Sequence, residues 1–378
     1  MPFFLPFLIR CRNRFMALAV LVLWALYTAP LAAQAPGQAA GRPAVDSCAP
    51  AAGLHFICGA DRPEDLARIP GTRWIIASGF SPGSGLKLVD SRRKTQRRLF
   101  DGRADQITRD LVAFPDCATP PDPALFNARG LSLRATGRGR AMLHVVNHGG
   151  RESVEVFDIL WDRPSTEPRL VWKGCLLMPE GHVGNAVATY QDGTVLVTVL
   201  TRPGTTITDF ERGAATGGVF QRRPGDAAFQ LIPGTELPGN NGLQTARDDR
   251  EFYVVAFGWR AVAIFARDSV TGPKAVVKAP GFMPDNIHYD GGRLLAAGMV
   301  SDEPACGGVR KIIDGVADRM LCPRGYGVAI LDPRRRTFKL LTKGPRNPAF
   351  NGVSSAIIVG RDLWLGSYQA DRIAYRKF

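Results

Sequence analysis

Glu64, Asn185, Asn241, Asp285 and Asn286 stand at the heads of short runs that alternate apolar and polar residues: "EDLARIPGTRWIIASG", "NAVATYQDGTVLVT", "NGLQTARDDREFYVVAFG" and "PDNIHYDGGRLLAAG". Brought to one point they would offer two carboxylates and three amide carbonyls, and nothing but oxygen. That is the donor set of calcium, a hard cation that takes about six to eight oxygens. Two carboxylates would offset its charge and leave positions for water or a substrate. Taken singly, each residue also reads as an Asx-type turn at a strand start. Two further residues are out of place. Arg129 sits in "NARG", and His148 closes "AMLHVVNH", a run that otherwise looks like a half-buried strand. His144 and His148 are four residues apart, so on a strand they stand about 13 Å apart and cannot chelate one metal. His148 reads either as hydrogen-bond support for a site or as a satisfied structural histidine. Arg129 reads either as a binder of an anionic substrate group or as the partner of a rim carboxylate.

Residues this far apart in sequence meet only if the elements carrying them converge. Six times the chain repeats a polar residue, an apolar alternation, a Gly- or Asp-rich turn and a strand ending in small residues. The heads at Glu64, Asn127, Asn185, Asn241, Asn286 and Ser354 are spaced by 63, 58, 56, 45 and 68 residues. Spacings of this order are those of propeller blades. Each repeat continues into further alternating runs, such as "GLKLVDSRRKTQRRLF" and "GVAILDPRRRTFKLLT", enough for a four-stranded sheet. Long amphipathic helical patterns are lacking. The reading is an all-β, six-bladed β-propeller with four-stranded blades over residues 60–378, in which the first strand of each blade lines a central channel and the heads point to one axis. Closure is expected to pair "DRIAYRKF" with a strand of the N-terminal region, because an open edge invites aggregation.

With that architecture in place, residues 60–378 resemble the paraoxonase (arylesterase) and gluconolactonase-like group of calcium-dependent six-bladed propellers, in particular a bacterial branch. The likeness is carried, in order, by "PEDLARIPGTRWIIASG", "VVNHGGRESVEVF", "GNAVATYQDGTVLVT", "NNGLQTARDDREFYVVAF", "PDNI" and "SSAIIVGRDLWLGS". It implies that Glu64, Asn185, Asn241, Asp285 and Asn286 are the ligands of a catalytic Ca2+ and that His148 matches the second histidine of a paraoxonase-type dyad. Two departures stand out. The group's second, structural calcium uses the acid after the first-blade Glu, here Asp65, and an acid after the third-blade Asn, where this chain has Ala186. The dyad's principal histidine is replaced by Arg129, and a guanidinium cannot act as a base near neutral pH.

A serine hydrolase would be the rival, since "GFSPG" at 79–83 satisfies G-x-S-x-G. A nucleophile elbow leads from strand to helix and uses the backbone N–H after the serine. Here Pro82 follows closely and "GLKLVDS" is a strand pattern. P-loop, H-E-x-x-H and dinucleotide fingerprints do not occur, so no organic cofactor is expected.

The first 35 residues read as a signal peptide: Arg10, Arg12 and Arg14, then "FMALAVLVLWALY", then small residues in "TAPLAAQA". The apolar run is shorter than the roughly 20 residues needed to span a bilayer, so the expected product has no stable membrane anchor and is periplasmic or secreted. Residues 36–59 read as a flexible leader. Export suits the cysteines: of seven, Cys11 leaves with the signal, and six remain for disulfides. The local pairs Cys48 with Cys58, Cys117 with Cys175 and Cys306 with Cys322 are the expectation. The net charge of +14 is concentrated in "SRRKTQRR" and "DPRRRTFK", both placed as solvated hairpin tips without the interleaved aromatics of a nucleic-acid platform. Nucleic acid is therefore not an expected partner. Two functions remain: a calcium-dependent hydrolase of a small lactone or ester, with Arg129 favouring an anionic substrate, or a non-catalytic, exported calcium-binding propeller that holds a ligand or partner.

Overall fold

The computed structural model describes residues 48–290 and 292–378. The expected signal peptide and residues 36–47 of the expected leader lie outside the described residues. Six four-stranded antiparallel sheets follow one another along the chain. Blade one is Leu66–Arg68, Trp74–Ala77, Lys87–Asp90 and Thr95–Arg98, and blade two is Ala128–Gly137, Arg140–Asn147, Ser153–Leu160 and Arg169–Leu177. Blade three is Gly184–Thr189, Val195–Val199, Gly218–Arg222 and Gln230–Leu231, and blade four is Asn240–Thr245, Glu251–Ala256, Ala261–Ala266 and Ala275–Lys278. Blade five is Phe282–Asp290, Arg293–Val300, Tyr326–Asp332 and Thr337–Gly344. Blade six takes Val353–Val359, Asp362–Ser367 and Arg372–Lys377 from the C-terminal end and His55–Cys58 as its outermost strand. Each inner strand meets those of its two neighbours, the first meeting the sixth, so the six-bladed propeller closes.

The closing strand corrects the leader boundary. His55–Cys58 pairs antiparallel with Arg372–Lys377, His55 opposite Tyr375 and Cys58 opposite Arg372. Backbone groups that an edge would leave unpaired are thereby satisfied, so the segment from Cys48 to Gly59 belongs to the propeller and not to a leader. The three expected disulfides form, Cys48–Cys58, Cys117–Cys175 and Cys306–Cys322.

Alternation along the strands places apolar side chains between the blades. Trp74, Ile76 and Leu88 of blade one face Leu143, Val145 and Trp172 of blade two in one buried cluster, and Phe252, Val254 and Phe265 of blade four meet Ala186, Ala188 and Leu196 of blade three in another. The two basic runs are the outer hairpin turns that were expected. In each, an aspartate at the strand end accepts from two following N–H groups: Asp90 from Arg92 and Arg93, and Asp332 from Arg334 and Arg335. The "GFSPG" segment runs through a turn into the strand Lys87–Asp90, with no helix after it.

Candidate active site in the central channel

Five of the six inner strands share one irregularity, the exception being that of blade one. Pairing with the second strand slips between Ala128 and Leu131, Gly184 and Val187, Asn240 and Leu243, Pro284 and Ile287, and Val353 and Ser355. Such bulges re-aim side chains that regular pleating would send to alternate faces. Arg129, Asn185, Asn241, the pair Asp285 and Asn286, and Ser354 all lie inside them. Glycines let the bulges approach. A Cβ on Gly130 would stand 2.7 Å from the Asn185 carbonyl oxygen, and one on Gly242 would stand 2.4 Å from that of Asp285 and 2.8 Å from Asn286 Cα. The Ser354 hydroxyl donates to the Glu64 carbonyl oxygen at 2.6 Å, and the Thr198 hydroxyl to that of Asn241 at 2.7 Å.

Glu64, Asn185, Asn241 and Asp285 line one cavity of about 810 Å³. Asn286 joins them by donating its amide N–H to Glu64 Oε1 at 2.7 Å. The other oxygen, Glu64 Oε2, is buried without a hydrogen-bond partner, as are Asn185 Oδ1 and Asn241 Oδ1. Three orphaned oxygens directed at one space are costly unless something binds there. The carboxyls register the same deficit of positive charge. Burial, with the charges of Asp65 and Asp285 adding to it, holds Glu64 well above the usual carboxylate range. Burial pushes Asp285 up to about 7, against the partial relief of the neighbouring Asn241 amide. A divalent cation bound by oxygen would relieve both, so the donor set fits calcium. Among the described residues no group of three or more His, Cys, Asp or Glu side chains is placed to hold a metal, and the oxygen set depends on its amides.

Asp65, the neighbouring acid, is otherwise engaged. Its Oδ1 accepts from Leu66 N at 2.8 Å and lies 2.7 Å from His288 Nε2, while its Oδ2 accepts from Leu131 N at 2.8 Å. Arg129 stacks on Phe80, its guanidinium carbon 3.1 Å from the ring centroid, and donates Nε–H to Asn127 Oδ1 at 3.2 Å. Burial lowers it to about 10, with Glu64 and then Glu152 opposing, so it stays charged at neutral pH. Phe80 lines the cavity wall, and Arg129 stands against its ring. His148 caps the end of its strand: Nδ1 lies 2.7 Å from Glu152 Oε2, and its backbone N–H donates to the Asn127 carbonyl at 3.1 Å. It is not among the residues lining the cavity. His144, on the same strand, is buried and pushed down to about 4 by desolvation, and it lines a different cavity.

The rest of the cavity escaped the sequence reading. Phe80, Leu200, Phe257 and Tyr368 line it, and each directly follows, or lies within three residues of, the end of a blade's second strand, in "IIASGF", "VLVTVL", "VVAF" and "LWLGSY". Second strands run antiparallel to the channel strands, so their ends return to the level of the heads, and the small residues noted there mark the place. Burial, with the charge of Asp285 adding, raises the Tyr368 phenol, which keeps it a hydrogen-bond donor. Two insertions cover this space. The helix Ile207–Glu211 starts in a capping box between Thr206 and Asp209. It meets a hairpin of Ile312–Ile313 and Val316–Ala317 through Ala317 N to Thr208 Oγ1 at 2.9 Å and through Arg310 Nη1 to Glu211 Oε1 at 2.6 Å. Cys306–Cys322 fastens the base of that hairpin.

No protein-family model and no curated protein sequence matches the chain. Among solved structures it is similar to a luciferin-regenerating enzyme, with 13% identity over 86% of this chain and 96% of that one and a TM-score of 0.48. It is similar to the gluconolactonase XC5397 from Xanthomonas campestris, with 15% identity over 85% and 88% and a TM-score of 0.47. It is also similar to U3-55K, with 9% identity over 87% and 99% and a TM-score of 0.47. Likeness at this depth assigns no activity, since one fold hosts unrelated functions.

Proposed function

We propose that this is an exported, calcium-dependent hydrolase of small lactones or esters. The observation that carries the reading is the convergence of three orphaned buried oxygens, from Glu64, Asn185 and Asn241, with the proton-holding carboxyl of Asp285 on one cavity. Glu64, Asn185, Asn241, Asp285 and Asn286 would hold the ion. When bound, calcium supplies Lewis-acid polarisation of a carbonyl oxygen. Asn286 fixes Glu64 through Oε1 and leaves Oε2 for the ion. Tyr368, kept protonated, can donate to a substrate oxygen. Phe80, Leu200 and Phe257 give the scissile group an apolar wall, and the helix and hairpin above exclude bulk water. Arg129, charged and attracted to Glu64, supports a preference for an anionic substrate. Export is supported by the signal-peptide pattern of the first 35 residues and by the three disulfides.

One observation favours a second reading, a calcium-binding module without turnover. Among the described residues the cavity lining contains no histidine, and His148 is tied to Glu152, so a general base other than the metal-binding carboxyls is not evident there. The test is a screen of mature protein against lactones, aryl esters and phosphotriesters, with and without chelator, beside a calcium titration. Chelator-sensitive turnover is the expected result. Tight calcium binding without any turnover would establish the module, and no calcium binding would refute both readings. The intact mass of exported protein should correspond to cleavage between about Ala32 and Ala35.

A further inference from the structure

The channel has a second mouth, and its chemistry is opposite in sign. Inner strands descend from the oxygen cluster, and three to six residues further on they deliver Arg68, Arg134, Arg247 and His288 to a separate cavity of about 460 Å³. The remaining polar lining there is neutral, including Ser132, Thr189, Gln244 and Thr245. Asp65 of blade one, in sequence between Glu64 of the first cavity and Leu66 of the second, is bonded at once to Leu131 N of blade two and to His288 of blade five.

The arginines differ in how they are held. Arg134 is fixed: it donates to the Thr189 carbonyl and to Thr245 Oγ1, tying blades two, three and four together. Its carboxylate partner among the described residues, Asp249 at 3.6 Å, is shared with Arg267 and accepts from Gln191 N. Arg68 makes two contacts of 3.4 Å, both to the Thr72 carbonyl of its own turn. Arg247 is exposed and lies over the Tyr289 ring at 5.0 Å. Among the described residues neither Arg68 nor Arg247 has a carboxylate within 4.0 Å. No acid lines this mouth among the described residues; of those near it, Asp65 and Asp249 are engaged as described, and the charges of Asp248 and Glu251 reach Tyr289. Guanidinium groups present several N–H donors in a planar fork that matches tetrahedral and planar oxyanions. Three of them from three blades around one concave space, one fixed and two with little to hold, form an anion receptor.

We infer that this mouth binds a small phosphate-bearing ligand, held between Arg68 and Arg247 on a floor set by Arg134. It is independent of the calcium reading. The test is titration of the full mature protein with pyrophosphate and, separately, with inorganic phosphate and citrate, by calorimetry at low and high salt. The expected result is one pyrophosphate per chain, weakened about tenfold or more by Arg68→Gln and by Arg247→Gln, each verified as folded by circular dichroism, and weakened further by salt. Asp285→Asn, which disables the opposite cluster, should leave this affinity unchanged. Citrate binding tighter than pyrophosphate would overturn the phosphate class. Failure of wild type to bind pyrophosphate, or binding lost with Asp285→Asn and kept by both arginine variants, would overturn the site.

Discussion

Asp285→Asn should stabilise the metal-free protein and forfeit most of the stabilisation that calcium gives. In the fold, burial holds the Asp285 proton up to about 7, against 3.8 for the free side chain. Because the native state retains a proton that the unfolded chain has released, stability falls as pH rises from about 4 to about 7. At about 1.4 kcal/mol for each pH unit of difference, the ionised carboxyl costs the metal-free fold about 4 kcal/mol above pH 7. Asparagine removes that cost and keeps the shape. In a protein of this size it corresponds to an increase in Tm of about 6 °C at pH 8 and almost none at pH 4. Calcium at a hundred times its Kd should stabilise wild type by about 2.7 kcal/mol and the variant by far less, since one carboxylate then faces a divalent ion. The assay is thermal unfolding of both proteins at pH 4, 6 and 8, with chelator and with calcium. A metal-free variant less stable than metal-free wild type at pH 8 would refute the uncompensated-charge reasoning. Equal stabilisation of both by calcium would remove Asp285 from the ion.

Gly242→Ala should destabilise the propeller by about 1–3 kcal/mol and weaken calcium binding, because its Cβ would stand 2.4 Å from the Asp285 carbonyl; calorimetry and thermal unfolding read both effects, and a silent substitution would show that blades four and five have slack. Replacing Cys306 and Cys322 with serine together should cost up to about 3 kcal/mol of unfolding free energy and make the 307–321 segment the first site of limited proteolysis. With substrate in hand, the same pair should raise KM, since the hairpin roofs the cavity. Arg129→Ala should tighten calcium several-fold by removing the cation attracted to Glu64, and should lower kcat/KM for an anionic ester relative to its neutral analogue; an unchanged ratio would exclude Arg129 from reading substrate charge.

Strand periodicity and the six polar heads were legible in the sequence because alternation and turn residues are local properties, written within each 15-residue stretch. The same locality made the basic hairpin tips readable, whereas the disulfides, one of which spans 58 residues, follow the order of the cysteines along the chain. That Glu64, Asn185, Asn241 and Asp285 share a cavity followed from the ring once the heads were aligned. Other features required the tertiary structure. The bulges that bring Asp285 and Asn286 to the same axis depend on how each inner strand pairs, and pairing slips leave no mark on alternation. The capture of Asp65 by His288 joins residues 223 positions apart, and His148, which read either as support for a site or as a structural histidine, is turned to Glu152 by the tight turn between them. The apolar roof came from insertions between strands, whose docking is set by contacts such as Arg310 with Glu211 and not by any periodicity. The sequence by itself determined the blades and their order, because local backbone preference and burial on alternate faces suffice for that. Which side chains meet across the axis was decided only by closure of the ring, since a contact between distant segments exists only when both backbones are already fixed.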